Sequence, residues 1–335
     1  MKNACVVGYG AIGPVHAEAL AACENANLYA VCDIDAARLQ TCIDTYGIIG
    51  YNDFAQMLKD PKVEVVHICT PHYLHKEMAV KALLAGKDAV LEKPAAIDSA
   101  ELAELRRAYA ASGRKLCLML QNRTNESIAL LKHLIETDAS LGNLTGIAAF
   151  MTWYRDEAYY NSAAWRGTWK YEGGGALINQ AVHLIDLVAY LGGGIEKVRG
   201  SISTKLLDGC IEVEDTADAL FHLKNGIRAC FYAANTYTQN APFHLELDFE
   251  NARLRYADNR LYKITADAAK VLAADDIHAP GKIYWGSGHQ NVINHFYHAL
   301  EHGGAYIDFN DGLNTMEALF AVYESARHGG TEITI

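Results

Sequence analysis

The sequence predicts an α/β protein of two domains: a parallel sheet covered by helices on both faces, then a larger α/β domain whose sheet is mostly antiparallel. From residue 3 to about 120, short and almost continuously apolar runs alternate with amphipathic ones. That is the pattern of strands buried on both faces by their crossover helices. Beyond that point the chain turns strand-rich and several runs alternate apolar with polar, as in a sheet with one covered face. At ~150 residues per domain, a chain of 335 residues holds about two, each long enough to bury a core. The expected division is 1–122 and 123–335.

In the first part the expected strands are 3–8 ("NACVVG"), 26–33, 63–70, 88–92 and 115–120, and the expected helices 14–23, 35–46, 73–85 and 98–111. In the second, a helix at 126–136 leads to strand-like runs at 144–154, 196–206, 215–223, 226–234, 243–249 and 252–256. Asn225-Gly226 between two of these predicts a type I′ hairpin.

"GYGAIG" places Gly8, Gly10 and Gly13 at G-x-G-x-x-G spacing, with Ala11 and Ile12 between them, directly after the first strand and at the entrance of the first helix. Gly8 permits the tight turn, Gly10 lets backbone approach a pyrophosphate, and Gly13 allows close helix–strand packing. Pro14 follows in the first helical turn, where a missing N–H is harmless. Asp33 ends the second strand, where its carboxylate accepts from adenosine ribose hydroxyls and repels a 2′-phosphate. A Rossmann domain binding NAD, in preference to NADP, is therefore expected. Asp33 also reads as a helix cap, a role Asp35 fills equally, and Arg38 one turn further on is placed to meet a phosphate.

The composition narrows the partners. A net charge of -11 and a pI near 5.7 oppose nucleic-acid binding. Cys5, Cys32, Cys69 and Cys117 each sit inside an apolar run and no C-x-x-C occurs, so neither disulfides nor zinc are expected. "MKNACVVGYG" passes straight into a strand, and no apolar run reaches the ~18 residues of a membrane span. A cytoplasmic protein with no membrane partner is expected.

The run "CTPHYLHKEMAVKALLAGKDAVLEKP", with "GYGAIG" before it and "EGGGALINQAVHLID" after it, resembles the glucose-fructose oxidoreductase and inositol dehydrogenase family, Gfo/Idh/MocA, over essentially the whole chain. The resemblance implies a Rossmann domain followed by an α/β domain on a large, mostly antiparallel sheet that mediates oligomerisation, here a homodimer or homotetramer. It implies oxidation or reduction of hydroxyl and carbonyl carbons on sugars and cyclic polyols with NAD or NADP. It places Thr70, Pro71 and His72 against the cofactor, with His72 standing where many members carry Asn. His75 is a cofactor contact or a capping residue. Glu92, Lys93 and Pro94 form the family's turn, commonly with a cis Lys-Pro bond. Lys93 alone reads as a solvated turn lysine; the resemblance makes it the group that holds the substrate oxygen.

In "EGGGALINQAVHLIDL", Asn179, His183 and Asp186 fall at i, i+4 and i+7, on one face of a mostly buried helix. The resemblance makes His183 and Asn179 a catalytic pair, with Asn179 where inositol-dehydrogenase-like members commonly carry Asp. Asp186 either supplies charge or anchors the helix. With the pyrophosphate assigned to Gly8–Gly13, Gly173, Gly174 and Gly175 are expected to form a close-approach turn that starts the helix beside the nicotinamide.

The aromatic-rich segment before the glycines contains "WRGTW", and amphipathic walls of this kind suit a sugar. Trp165 and Arg166 are the substrate candidates there, with Arg123 and Tyr284 elsewhere, and His289 in the loop beside Tyr284. His295, His298 and His302 recur at helical spacing, but no metal is expected. The expected activity is hydride transfer between nicotinamide and a secondary alcohol or ketone carbon. An NAD-dependent glycosidase acting by transient sugar oxidation is the alternative, as is a dinucleotide-sensing protein without chemistry.

Overall fold

The computed structural model describes residues 1–275 and 286–335, which form two compact units. The first comprises Met1–Gln121 and Gly288–Gly312. Its chain runs β1 (Lys2–Val7), α1 (Gly13–Ala21), β2 (Ala26–Cys32), α2 (Ala36–Tyr46), β3 (Ile49–Tyr51), α3 (Phe54–Leu58), β4 (Val65–Ile68), α4 (His72–Leu84), β5 (Asp88–Leu91), α5 (Ser99–Ser112) and β6 (Leu116–Leu118). The six strands are all parallel in the order β3-β2-β1-β4-β5-β6, the dinucleotide-binding arrangement. β3 and α3 are additional to the expected elements.

Local chemistry sets the helix ends. The Asp35 carboxylate accepts from Ala37 and Arg38 N–H to start α2, and Asp98 accepts from Glu101 N–H to start α5. Both helices stop at a left-handed glycine, Gly47 at φ 66° and Gly113 at φ 64°.

Residues 288–312 belong with this first unit, not with 123–335 as the division at 122/123 implied. The cause is the apolar stripe of the helix Gly288–His302. Val292, Ile293, Phe296 and Tyr297 are buried in one core cluster with Ala17 and Leu20 of α1 and Val6 of β1. Each large side chain buried this way is worth roughly 1.5–3 kcal/mol.

The second unit comprises Asn122–Ser287 and Leu313–Ile335. α6 (Glu126–Thr137) and β7 (Leu144–Thr152) precede α7 (Glu157–Asn161), a π-helical turn at Leu177–Ala181, and α8 (Val182–Gly192). Then come β8 (Ile195–Ser203), β9 (Thr216–Leu223), β10 (Arg228–Ala234), β11 (His244–Phe249), β12 (Arg253–Ala257), β13 (Arg260–Ile264) and β14 (Ala269–Ala274). With α9 being the Gly288–His302 helix of the first unit, α10 (Leu313–Arg327) and β15 (Ile333–Thr334) complete the second.

Its sheet has the order β14-β13-β12-β11-β7-β10-β9-β8-β15 and is antiparallel except where β7 runs parallel to β10. Ala217, Ala219, Phe221 and Leu223 of β9 alternate inward, the period of one covered face. β13 and β14 were not among the expected strands.

The β9–β10 turn differs from the expected type I′. Gly226 N–H bonds to Leu223 C=O and only Gly226, at φ 83°, is left-handed. This is a type I turn closed by a glycine bulge, so Asn225 need not adopt positive φ. The two-residue turn with positive φ at both positions lies instead between β12 and β13, at Asp258 (53°) and Asn259 (55°).

Among the described residues, no helix is long and apolar enough to cross a membrane.

Candidate active site

In the first unit the predicted residues gather at the carboxyl ends of adjacent parallel strands. Gly8, at φ 89°, turns the chain out of β1, and a Cβ there would lie 2.8 Å from Cys69 O. A Cβ on Gly13 would lie 2.2 Å from Gly8 O, so α1 packs onto its own turn only with glycine at that position. Gly10 meets nothing nearer than the Arg38 guanidinium at 3.8 Å. Ala11 and Ile12 complete the turn, and Ile12 precedes the first residue of α1. Asp33 is buried, with its two carboxylate oxygens accepting from Tyr9 N–H (2.6 Å) and Asp35 N–H (2.8 Å). It thereby fixes the glycine turn, while Asp35 alone caps α2.

The turn after β4 brings Thr70, Pro71 and His72 alongside. Thr70 Oγ1 is buried without a protein hydrogen-bond partner, and Pro71 precedes α4, which His72 opens. His75 lies buried one turn on, its Nδ1 2.7 Å from Pro94 O and its Nε2 2.8 Å from Thr70 O. Burial pushes its pKa down while the two carbonyls pull it up. The neutral ring has one N–H and donates to one of the two carbonyls, and with that proton on Nδ1 it ties the start of α4 to the turn after β5.

That second turn carries Glu92, Lys93 and Pro94. The Lys93–Pro94 bond is cis, and Lys93 N–H donates to Glu92 Oε2 at 3.2 Å. Lys93 is half-buried, between the fully and nearly fully buried Leu91 and Glu92 and the buried Pro94.

In the second unit, Gly175 answers to a carboxylate and Gly174 to a tyrosine, not to a phosphate. Glu214 is buried and accepts from Gly175 N–H (3.0 Å), Leu177 N–H (2.9 Å) and Tyr323 O–H (3.0 Å). A Cβ on Gly175 would lie 1.9 Å from Glu214 O, and one on Gly174 1.9 Å from Tyr323 Oη. Glycine is required there because Glu214 and Tyr323 occupy the space against the first turn of the helix. Burial pushes the Glu214 carboxyl up to about 7 despite the backbone donors.

The π turn at Leu177–Ala181 carries Asn179 directly ahead of α8, which carries His183. Such turns widen the helix locally and recur at functional sites. Asn179 donates its side-chain amide to Glu172 Oε1 (2.6 Å) and to Tyr159 Oη (3.2 Å). Glu172 is fully buried, its second oxygen accepting from Gly167 N–H at 2.5 Å. Arg166 bonds Tyr159 Oη at 2.5 Å and lies over the rings of Tyr159 and Trp165, 4.4 and 4.6 Å from their centroids. Trp165, Arg166, Tyr159, Glu172 and Asn179 thus form one polar–aromatic cluster.

Asp186 anchors its helix. Its carboxylate takes two bonds from Arg123 (2.9 and 2.6 Å) and one from Thr315 O–H (2.7 Å). Arg123, expected as a substrate contact, pairs with Asp186 and stacks on Tyr190.

Residues 2–120 match the oxidoreductase family with an NAD-binding Rossmann fold, and residues 128–255 match the Gfo/Idh/MocA C-terminal domain. The chain belongs to the Gfo/Idh/MocA oxidoreductase family. An inositol 2-dehydrogenase of Salmonella typhimurium is 34% identical over 139 residues, 40% of this chain and 41% of the relative, so the match spans about two fifths of that protein's length. A glucose-6-phosphate 3-dehydrogenase of Bacillus subtilis is 24% identical over 97% of this chain and 96% of its own. Among solved structures, the WlbA dehydrogenase of Bordetella pertussis in complex with NADH and UDP-GlcNAcA superposes with a TM-score of 0.86 at 27% identity, covering 100% of this chain and 98% of that one.

For this Gfo/Idh/MocA protein, sequence reasoning missed Tyr159, Glu172 and Glu214. Glu172 stood at the edge of the glycine run, and a carboxylate beside consecutive glycines is a usable signal for a buried acceptor. Glu214 lies 39 residues from Gly175 and carries no local signal. Tyr284 lies outside the described residues. His289 is not a loop residue but sits buried at the start of α9, 3.6 Å from Glu92. The grouping of three potential ligands among the described residues is His16, Glu92 and His289, not the His295-His298-His302 stripe.

Proposed function

We propose that this chain is an NAD-dependent dehydrogenase or reductase that moves a hydride between nicotinamide and a secondary alcohol or ketone carbon of a sugar, cyclic polyol or related small molecule. The observation that carries the reading is the position of Lys93. It lies in the turn just after β5, two strands from the glycine turn of β1 in the same parallel sheet, on the edge where such sheets bind ligands. The named relatives act on this class of hydroxyl compound.

The cradle suits a dinucleotide. Gly10 leaves its turn open, Thr70 Oγ1 is a buried hydroxyl without a protein partner, and each Asp33 oxygen keeps one lone pair after its backbone bond. Bound there, NAD supplies the carbon that accepts or returns the hydride. The backbone at Gly8–Gly13 binds the pyrophosphate, and Asp33 accepts from the adenosine ribose and disfavours NADP. Thr70, Pro71, His72 and Glu92 would hold the cofactor beside the glycine turn, with His75 bonding to those turns.

In the oxidative direction His183 takes the proton from the alcohol while Lys93 orients its oxygen and stabilises the negative charge that develops there. Asn179, tied to Glu172, sets the start of the His183 helix. Trp165 and Arg166 contribute the substrate wall.

A panel of sugars and polyols followed by NADH absorbance tests the assignment. Lys93→Met and His183→Ala are expected to abolish turnover with NAD affinity nearly intact; undiminished rates in either variant sink it. Glycosidic cleavage without net NADH would instead identify a glycosidase.

The open face of the nine-stranded sheet supports a homo-oligomer, since Phe150 and its register partner Tyr232 are 38% and 37% exposed there. The free thiols of Cys5, Cys23, Cys32, Cys42, Cys69 and Cys117, all buried, suit the reducing cytoplasm.

A further inference from the structure

Beneath Lys93 lies a chain of buried polar side chains that hydride transfer does not itself require. Tyr297 Oη is 2.9 Å from His67 Nε2, His67 Nδ1 is 2.9 Å from His16 Nδ1, and His16 Nε2 is 3.0 Å from Glu92 Oε1. His16, His67 and Tyr297 are all at 0% exposure, so each proton in the chain must be assigned to a partner.

With Glu92 ionised and His67 uncharged, the states their pKa directions favour, two arrangements satisfy every contact. In one, Tyr297 O–H donates to His67 Nε2, His67 Nδ1–H to His16 Nδ1, and His16 Nε2–H to Glu92. In the other, which holds one more proton, His16 is an imidazolium donating both to Glu92 and to His67 Nδ1, and His67 Nε2–H donates to Tyr297 Oη. In both, His16 Nε2 carries a proton and Glu92 is a carboxylate. Its second oxygen accepts from Lys93 N–H.

From this geometry we infer that His16, backed by His67 and Tyr297, is a positioning residue for Lys93. By donating to Glu92 it keeps a buried carboxylate ionised, and that carboxylate fixes the backbone from which the Lys93 side chain leaves. The inference rests on the proposed role of Lys93. The groups facing Glu92 are His16 from α1, His67 and Cys69 from β4 and its end, His75 from α4, Cys117 from β6, His289 from α9 and Lys93 itself. Burial pushes the Glu92 carboxyl up, and the His16 bond with His289 alongside outweighs it. His67 and His289 are held neutral by burial. A metal on the same three atoms, of His16, Glu92 and His289, would take the His16 Nε2 lone pair and leave its proton on Nδ1, a competing arrangement that the zinc arm of the test separates.

The test compares Lys93→Met, His16→Leu, His16→Gln and Tyr297→Phe by pH–rate profile, NAD affinity and thermal melt. His16→Leu removes the donor, so Glu92 takes up a proton at higher pH; kcat is expected to fall roughly ten- to hundred-fold at pH 7, with the acid limb moved up by about one unit or more. His16→Gln restores a donor near the Nε2 position and is expected to return the limb toward wild type. If His16→Leu does not fold, Tyr297→Phe carries the test, with a smaller shift of the same sign. Two outcomes overturn the inference: wild-type profiles in these variants while Lys93→Met is inactive, or a stoichiometric zinc ion that raises the melt of wild type but not of His16→Leu. Full turnover by Lys93→Met instead refutes the assigned chemistry. Long-range imidazole ¹⁵N–¹H correlation, which needs no substrate, is expected to show His16 Nε2 protonated from pH 6 to 9; a bare Nε2 refutes the chain.

Discussion

Asn179 donates its side-chain amide to the buried carboxylate of Glu172 at 2.6 Å. The bond accounts for an amide at this position, where the resemblance gives inositol-dehydrogenase-like members an Asp: a carboxylate there would meet another carboxylate in a dry setting. The two could stay only by sharing a proton. Asn179→Asp is therefore expected to lower both the melting temperature and kcat rather than to restore a family pattern. Asn179→Asp combined with Glu172→Gln re-creates one acid and one amide, and is expected to recover most of the stability. Thermal melts of the two single variants and the double variant check this, and additive losses would refute the pairing.

Asp33 has two duties, and variants separate them. As the acceptor for Tyr9 and Asp35 N–H it shapes the glycine turn, and as an anion it selects the cofactor. Asp33→Asn loses the charge and keeps one of the two acceptors, so one of the bonds from Tyr9 and Asp35 N–H is lost with it. It is expected to weaken NAD about tenfold, the worth of one charge-assisted hydrogen bond, while NADP loses little or gains. Asp33→Ala also loosens the turn and weakens both. Equal losses for the two dinucleotides in Asp33→Asn would remove the argument for NAD selection.

Glu214 predicts a pH dependence of stability. Its carboxyl is raised from an ordinary value of 4.5 to about 7, first by burial and then against the pull of its backbone donors. A group raised on folding stabilises most below its unfolded pKa, and that contribution is lost as pH rises through the folded value. Stability is therefore expected to decline from about pH 5 to 8, by on the order of 3 kcal/mol from this group. Glu214→Gln, which cannot ionise, is expected to flatten that slope. Urea titrations of the two proteins at pH 5, 6, 7 and 8 compare them directly, and parallel slopes would assign the dependence elsewhere.

These sites differ in how far the sequence revealed them, and the difference is physical. Gly8, Gly13 and Asp33 were legible because the turn they build is local, its demands set by backbone within one β-α-β unit. Lys93 was legible only through resemblance, since a lysine after a strand is ordinarily solvated. The reason for Gly174 and Gly175 was not legible: their neighbours Tyr323 and Glu214 come from far along the chain. The same holds for α9, whose apolar stripe announced burial without naming α1 as its partner. At Asn225-Gly226 the hairpin was foreseen and its turn was not, because one left-handed glycine serves either turn type.

The pair Arg123–Asp186 shows how the His183 helix is held. Both side chains are nearly buried, 8% and 1% exposed, and the carboxylate has Thr315 as its other donor. Arg123→Ala leaves that charge in a dry setting with a single hydroxyl, so a loss of about 3–5 kcal/mol is expected. Asp186 lies one turn beyond His183, and the displaced helix should lower kcat without touching NAD affinity, because the dinucleotide cradle is built in the other unit. Replacing both members with apolar residues, Arg123→Met with Asp186→Leu, removes the unpaired charge and is expected to regain most of the stability. If Arg123 instead binds substrate, Arg123→Ala will raise KM while leaving the melt unchanged, so the melting temperature of that one variant decides between an anchor and a ligand contact.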